Sequence, residues 1–243
     1  STFGAGGAKT VIVFDDATQQ KLAAAFGGKQ PVDVQTLYSF GGGGQSLVTS
    51  PSFKFSFPGK TEGGKNTLSS DGLTLSVDFA RGLERYSLKG EAPRFELLDE
   101  GGAKIVFAGL KIESTQQRMF VDEPLLYSGS QRFALAEMTA VPGQEGGAKV
   151  GLKDLSYDVS IPAAGEHIDL IAMIGAGEFK VGEQNFGPAH YDFTVKHVHA
   201  RKLAALHRGA MALYSKPMPV NDAEQMGQLF EPLKKLALDL VME

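Results

Sequence analysis

Ser52-Phe53-Lys54-Phe55-Ser56-Phe57 alternates polar and apolar side chains at every step. Successive side chains of an extended chain point to opposite faces. Phe53, Phe55 and Phe57 would therefore share one face, and Ser52, Lys54 and Ser56 the other. A helix would scatter both sets around its axis. Leu73-Thr74-Leu75-Ser76-Val77-Asp78-Phe79 carries the same period of two. Runs of this kind are strands of an antiparallel sheet with one wet face.

Working outward, similar segments lie near Thr10 to Phe14, Val32 to Phe40, Tyr86 to Leu98, Ile105 to Ile112 and Gln131 to Met138. Longer ones run near Val150 to Ile161, His167 to Ile174 and Glu178 to Val198. Turn residues separate many of them, so the economical arrangement is a β-meander. The period slips once. Val150 and Leu152 share one parity, and Leu155, Tyr157, Val159 and Ile161 share the other. A β-bulge near Lys153 and Asp154 would restore a single apolar face.

Three segments read as helices. Asp16 to Phe26 has good helix formers, an acidic start and a Gly27-Gly28 stop. Ala200 to Tyr214 carries Leu203, Leu206, Ala210 and Leu213 on one stripe and ends before Pro217. Asn221 begins a third, which aligns Met226, Leu229, Leu233, Leu236 and Leu240 and is kinked or split at Pro232. The fold class expected is mainly β (α+β). It is a long twisted antiparallel meander with a short N-terminal helix and two C-terminal helices. We expect one domain over residues 1–243, with a β-α start (1–30), an antiparallel body (31–199) and a helical end (200–243).

Gly-Gly-Ala-Lys occurs three times, at Gly6 to Lys9, Gly101 to Lys104 and Gly146 to Lys149; Glu62-Gly63-Gly64-Lys65 is a near relative. A phosphate-binding loop needs glycine directly before the lysine and a helix after it. Ala8 stands in that place in the first copy, and strand-like residues follow each copy. These are turns that punctuate strands. The tetrad Gly41 to Gly44 is likewise a hairpin connection.

A net charge of −4 and no basic stripe argue against nucleic acid as a partner. Without cysteine there are no disulfides, thiolate nucleophiles or Cys-based zinc sites. No run approaches the roughly 20 apolar residues of a membrane span. The chain opens on Ser1-Thr2-Phe3-Gly4 rather than Met, and we expect either a removed leader or a piece of a longer protein.

His197 and His199, two apart on a strand, could share a metal, with His190 and His207 near in sequence. No third ligand is obviously placed, so we assign no metal residues. Asp15-Asp16 suits a helix start better than paired catalysis. Asp99-Glu100 and Asp122-Glu123 lie beside turns and read as solvated. No nucleophile elbow is present, and we assign no catalytic or cofactor-binding residues and no cofactor. The Leu229, Leu233, Leu236 and Leu240 stripe would cover the chain's own sheet or, alternatively, join two copies.

The order of several segments resembles the bacterial YdgA-like family. These are Leu37-Tyr38-Ser39-Phe40-Gly41, Leu47 to Phe57 with Pro51, and Asp71-Gly72-Leu73-Thr74-Leu75. Tyr86-Ser87-Leu88-Lys89-Gly90 follows, with Pro93 and Phe95-Glu96-Leu97 beyond it. Leu152 to Asp158 and Val195 to Leu206 complete the order. The resemblance implies a Gram-negative envelope protein of unknown function, with an N-terminal anchor or export segment and a longer periplasmic body. It transfers no catalytic residues. This chain has His197-Val198-His199 where the family tends to an Asn-Leu-Asp-like run, and it stops at Glu243 where members continue with more strands. A fragment of a periplasmic protein, anchored at the inner membrane in its full length, is expected.

The leading expectation of function is therefore a non-enzymatic structural or protein-interaction domain of the periplasm, with a homodimer or an envelope protein as partner. The alternative is a carrier of lipid or another hydrophobic ligand in a groove of the curved sheet. A hydrolase with unrecognised residues comes third.

Overall fold

A computed structural model describes residues 6–11, 16–27, 31–144 and 146–214, together with Glu231 and Lys235. Its contacts gather into two compact units. The first comprises Ser1–Gln116, Ser130–Val159 and Ala172–Asp192, the second Gln117–Gly129, Ser160–Ile171 and Phe193–Glu243. These divisions fall within strands.

The first unit is a large antiparallel sheet. Strands β1 (Gly6–Val11), β2 (Asp33–Tyr38) and β3 (Gly44–Ser50) lie side by side. β3 then pairs with β6 (Leu73–Phe79), and β6 with the first half of β7 (Arg85–Leu98). The hairpin of β4 (Phe53–Pro58) and β5 (Lys65–Ser70) pairs through β5 with the second half of β7. β5 and β6 thus form one interrupted edge against β7. Asp71 bridges the break by donating its backbone N–H to the Arg94 carbonyl at 3.1 Å. The sheet continues through β8 (Lys104–Phe120), β9 (Glu123–Val141), β10 (Val150–Ile161) and β12 (His167–Ala176), while β13 (Glu178–Val181) and β14 (Gln184–Asn185) extend it at the start of β10. Helix α1 (Asp16–Phe26) packs on β4, with Ala25 buried and the Phe26 ring 5.1 Å from Phe53. Two polar side chains buried here have partners. The Thr36 hydroxyl meets that of Ser46 at 2.8 Å, and the Ser70 hydroxyl accepts the Gly72 N–H at 3.2 Å.

The second unit is built from the inner ends of β8, β9, β10 and β12. The short β11 (Ala163–Ala164), most of β15 (Ala189–His199) and α2 (Ala200–Tyr214) belong to it as well. Its core joins Leu126, Ile168, Ala200 and Ala204, with Met119, Phe120, Ile161, Val198 and Leu203 packed around them. Ala200 and Ala204 are one helical turn apart, and their small side chains let the helix backbone approach the strands closely. The contact face of α2 therefore centres on Ala200, Leu203 and Ala204. The predicted Leu206 and Ala210 are only half-buried.

A mainly β fold with a short N-terminal helix and a helix from Ala200 to Tyr214 is what the sequence predicts, and both helices keep their predicted limits. Gly27 takes a left-handed φ of 60° directly after α1, as the glycine stop requires. The second C-terminal helix, with its leucine stripe, falls on residues outside those described; Glu231 and Lys235 within it are helical. The bulge is found: Asp154 has a left-handed φ of 52°, and Lys153 turns its carbonyl to the Gly177 N–H at 2.9 Å. Besides the two-residue β11, two strands escape the sequence reading. β3 (GQSLVTS) and β5 (KNTLSS) are too polar to show a period of two and form because their neighbours supply paired edges. The predicted long run from Glu178 to Val198 is three strands.

The Gly-Gly-Ala-Lys copies divide. The second turns between β7 and β8, with the Asp99 N–H bonded to the Ala103 carbonyl at 2.8 Å, and the third leads into β10. Glu62 to Lys65 turns into β5. The first copy is not a turn: Gly6 to Lys9 lie within β1, opposite Tyr38 to Gln35. Glycines without a helix to start can sit in an edge strand, where a neighbour's ladder supplies the order their backbone lacks.

Candidate functional site

β15 brings His197 near its end, where the backbone turns left-handed with φ 59°. That break interrupts the alternation expected to put His197 and His199 on one face. The His197 N–H donates to Asp169 Oδ1 at 2.9 Å, and its side chain is 86% exposed. His199 is largely covered, with Nε2 3.9 Å from Glu166 Oε2 and Nδ1 buried without a partner among the described residues. Both rings pack against His167, at 6.3 and 5.4 Å between centroids. Among the described residues no three such side chains converge as metal ligands. His190 pairs with Asp192 at 2.9 Å; His207 lies exposed on α2.

The acidic pairs beside turns do more than meet solvent. The Glu100 carboxylate accepts the backbone N–H groups of Lys60 (3.0 Å) and Thr61 (3.2 Å) and the Thr61 hydroxyl (2.9 Å), holding the β4–β5 turn. The Thr61 N–H is the main reason its carboxyl sits below the usual glutamate range. Asp99 Oδ1 accepts the Ala103 N–H at 2.7 Å within its own turn. At the tip of the β8–β9 hairpin, Asp122 takes both arms of the Arg201 guanidinium, at 2.7 and 3.2 Å, and Glu123 pairs with Arg208. Arg201 also stacks its guanidinium carbon 4.3 Å from the Phe120 ring centroid. The Arg201 hydrogen bonds hold the Asp122 carboxyl below its ordinary range. Nothing in the sequence spacing links positions 122 and 201, so only the fold shows this clamp. Asp15 lies outside the described residues and Asp16 opens α1.

Among the described residues, a cleft and an exposed strand are the candidate surfaces. One is a cleft of about 770 Å³ in the first unit, where the ends of β2, β3, β6 and β7 meet. Register places Tyr38 opposite Gly44, Gly44 opposite Phe79 and Phe79 opposite Tyr86, so three aromatic rings and one glycine form a single cross-strand row. A Cβ at Gly44 would lie 3.0 Å from Phe79 Cζ and collide with the Leu37 carbonyl, so only glycine fits between the rings. The other surface is β15, which among the described residues pairs with β12 alone and exposes residues 189–197 throughout. Neither was singled out from the sequence. The alternation of Tyr191, Phe193 and Val195 would have drawn attention to β15, but not to its being an edge.

No helix among the described residues is long and apolar enough to cross a membrane. What these residues define is a mainly β protein on a large antiparallel sheet, flanked by one short N-terminal and one C-terminal helix. Over residues 2–242 the chain matches the family described as bacterial protein of unknown function (DUF945), and it belongs to that family. The resemblance drawn from the sequence is upheld to that extent, as membership of a bacterial family of unknown function. No curated protein and no solved structure matches the chain.

Proposed function

We propose that this chain is a non-enzymatic binding domain of the bacterial cell envelope, and that it associates through the open edge of β15. The exposure of β15 along residues 189–197, with β12 as its sole strand neighbour among the described residues, carries the reading. An unpaired edge offers a row of backbone donors and acceptors to another strand. A second copy fits that edge. Antiparallel pairing about Thr194 sets Asp192 opposite Lys196 and Phe193 opposite Val195, each twice by two-fold symmetry. Opposite-charge and aromatic–branched cross-strand pairs of this kind contribute roughly 0.2–1 kcal/mol each. The envelope placement draws on the resemblance to YdgA-like proteins, and the non-enzymatic character on a sequence without an acid–base or nucleophilic constellation.

Sedimentation of the purified chain over a dilution series tests this. The expected result is a dimer that Phe193→Asp converts to a monomer with unchanged far-ultraviolet circular dichroism. A chain that is monomeric at every concentration overturns the reading, as does a Phe193→Asp variant that dimerises like the parent.

A second reading, the binding of a hydrophobic ligand, is favoured by the aromatic row of the cleft. The volume of about 770 Å³ lies within the roughly 300–1,000 Å³ typical of small-molecule sites. Native mass spectrometry of protein purified from bacteria would show co-purifying lipid; its absence at full recovery of the protein counts against this reading.

A further inference from the structure

We propose that two turns at one end of the first unit's sheet form a docking tip that inserts Phe40 and Leu83 into the interface of a phospholipid bilayer. The β2–β3 and β6–β7 turns are neighbours because β3 and β6 pair, with Gly44 opposite Phe79. The Arg81 stem also packs on Gly42, where a Cβ would stand 3.0 Å from Arg81 Cγ. Each turn presents one large apolar side chain to water. Phe40 is 89% exposed and Leu83 50%, and neither lines the cleft beside them.

Both side chains are held where they stand. The Ser39 N–H and hydroxyl donate to the Gly43 carbonyl at 2.8 and 3.0 Å, and the Gly42 N–H donates to the Ser39 carbonyl at 3.2 Å. In the other turn the Leu83 N–H donates to the Ala80 carbonyl at 3.1 Å, and the Ala80 N–H to the Arg85 carbonyl at 2.8 Å. Gly82 and Leu83 are both left-handed, with φ of 63° and 57°. Hairpin turns with two such residues favour glycine, asparagine or aspartate, and a leucine there strains the backbone. Half-exposed, it gains little burial in return. Glycine would serve the fold better, so the leucine is explained by what it meets outside the chain.

The partner follows from shape and charge. Two side chains on separate turns fall well short of the roughly 800 Å² that each partner gives to a stable protein interface. A bilayer needs no matching pocket and accepts such side chains singly. Arg81 and Arg85 are offset by Glu84 and by Asp78, whose Oδ1 accepts the Gln45 amide at 3.0 Å, so this end is close to neutral. Transfer of apolar surface therefore drives the insertion, which needs no anionic lipid.

The test exploits a chain without tryptophan. Phe40→Trp installs a single fluorophore at the tip, and Phe186→Trp, at a position 59% exposed after β14, serves as the control. Each is titrated with vesicles of phosphatidylcholine and with vesicles of phosphatidylcholine mixed equally with phosphatidylglycerol. Expected is a blue shift of the Phe40→Trp emission with both vesicles and none for Phe186→Trp. In vesicle flotation, Phe40→Ser should weaken partition about tenfold or more, and Leu83→Gly severalfold. Leu83→Gly should nevertheless melt no lower than the parent. No blue shift with either vesicle overturns the inference and leaves a protein as the partner of the two turns. Binding to the anionic vesicles alone replaces insertion by charge adsorption and overturns it too. A Leu83→Gly variant that floats like the parent, or that melts lower, removes Leu83 from the tip.

Discussion

The carboxylate of Glu100 holds Thr61, a residue of the preceding hairpin, by both its backbone N–H and its hydroxyl. The ionised form is the one that accepts these bonds, so the carboxyl ionises below the ordinary glutamate value of about 4.3. A depressed folded-state pKa stabilises the folded state above the unfolded value, and that contribution is lost as pH falls through the folded one. A carbon-13 titration should place the Glu100 midpoint below the ordinary glutamate value. Glu100→Gln should speed hydrogen exchange at the Thr61 amide near neutral pH. An unshifted midpoint would show that the turn is held by other means.

Ile168 and Ala204 meet in the core of the second unit, exposed by 3% and 7%. Ile168→Ala removes buried volume and should cost about 2–5 kcal/mol, whereas Ile168→Val should cost about 0.5–1.5. Ala204→Leu pushes α2 off the strands and should cost about 1–3 kcal/mol. Chemical denaturation followed through α2 amides gives the ranking. Equal stabilities for the two Ile168 variants would move the core elsewhere.

Asp154 holds the bulge of β10 with a left-handed backbone. Residues with a Cβ are disfavoured there by about 1–2 kcal/mol, aspartate less than alanine. Asp154→Gly should therefore be near neutral, and Asp154→Ala should be less stable than Asp154→Gly by about 1 kcal/mol. If the two variants melt together, the bulge is not strained. This feature was legible in the sequence, because Leu152 and Leu155 sit three apart where a regular strand would place them two or four apart.

For the pairing of two copies through β15, charge exchange is the sharpest check. Asp192→Lys alone and Lys196→Asp alone should each weaken the dimer severalfold, by setting like charges opposite one another. The double exchange should restore it. A double variant as weak as the singles would exclude antiparallel pairing centred on Thr194.

The strands with one apolar face could be read directly: β4, β6, β7, β10 and β12 fall close to where Phe53, Leu73, Tyr86, Val150 and His167 begin their patterns. Burial on one face forces that alternation on the residues. β3 and β5 could not be read, because Gly44–Ser50 and Lys65–Ser70 are strands by virtue of β2, β4, β6 and β7 beside them. The candidate sites divide in the same way. The His197 and His199 pair was visible as a spacing, but the left-handed backbone at His197 and the contact of both rings with His167 were not.

By its own patterning the sequence determined that this protein is mainly β, that α1 and α2 begin and end where they do, and that β10 carries a bulge. Period and propensity are local properties, written wherever a segment buries one face. The tertiary structure alone decided that Glu100 reaches Thr61, that Arg201 spans Phe120 and Asp122, and that Tyr38, Phe79 and Tyr86 form one row around Gly44. These contacts join residues far apart in the chain. Which of them meet depends on the order and register of the strands, set by the sum of many weak pairings.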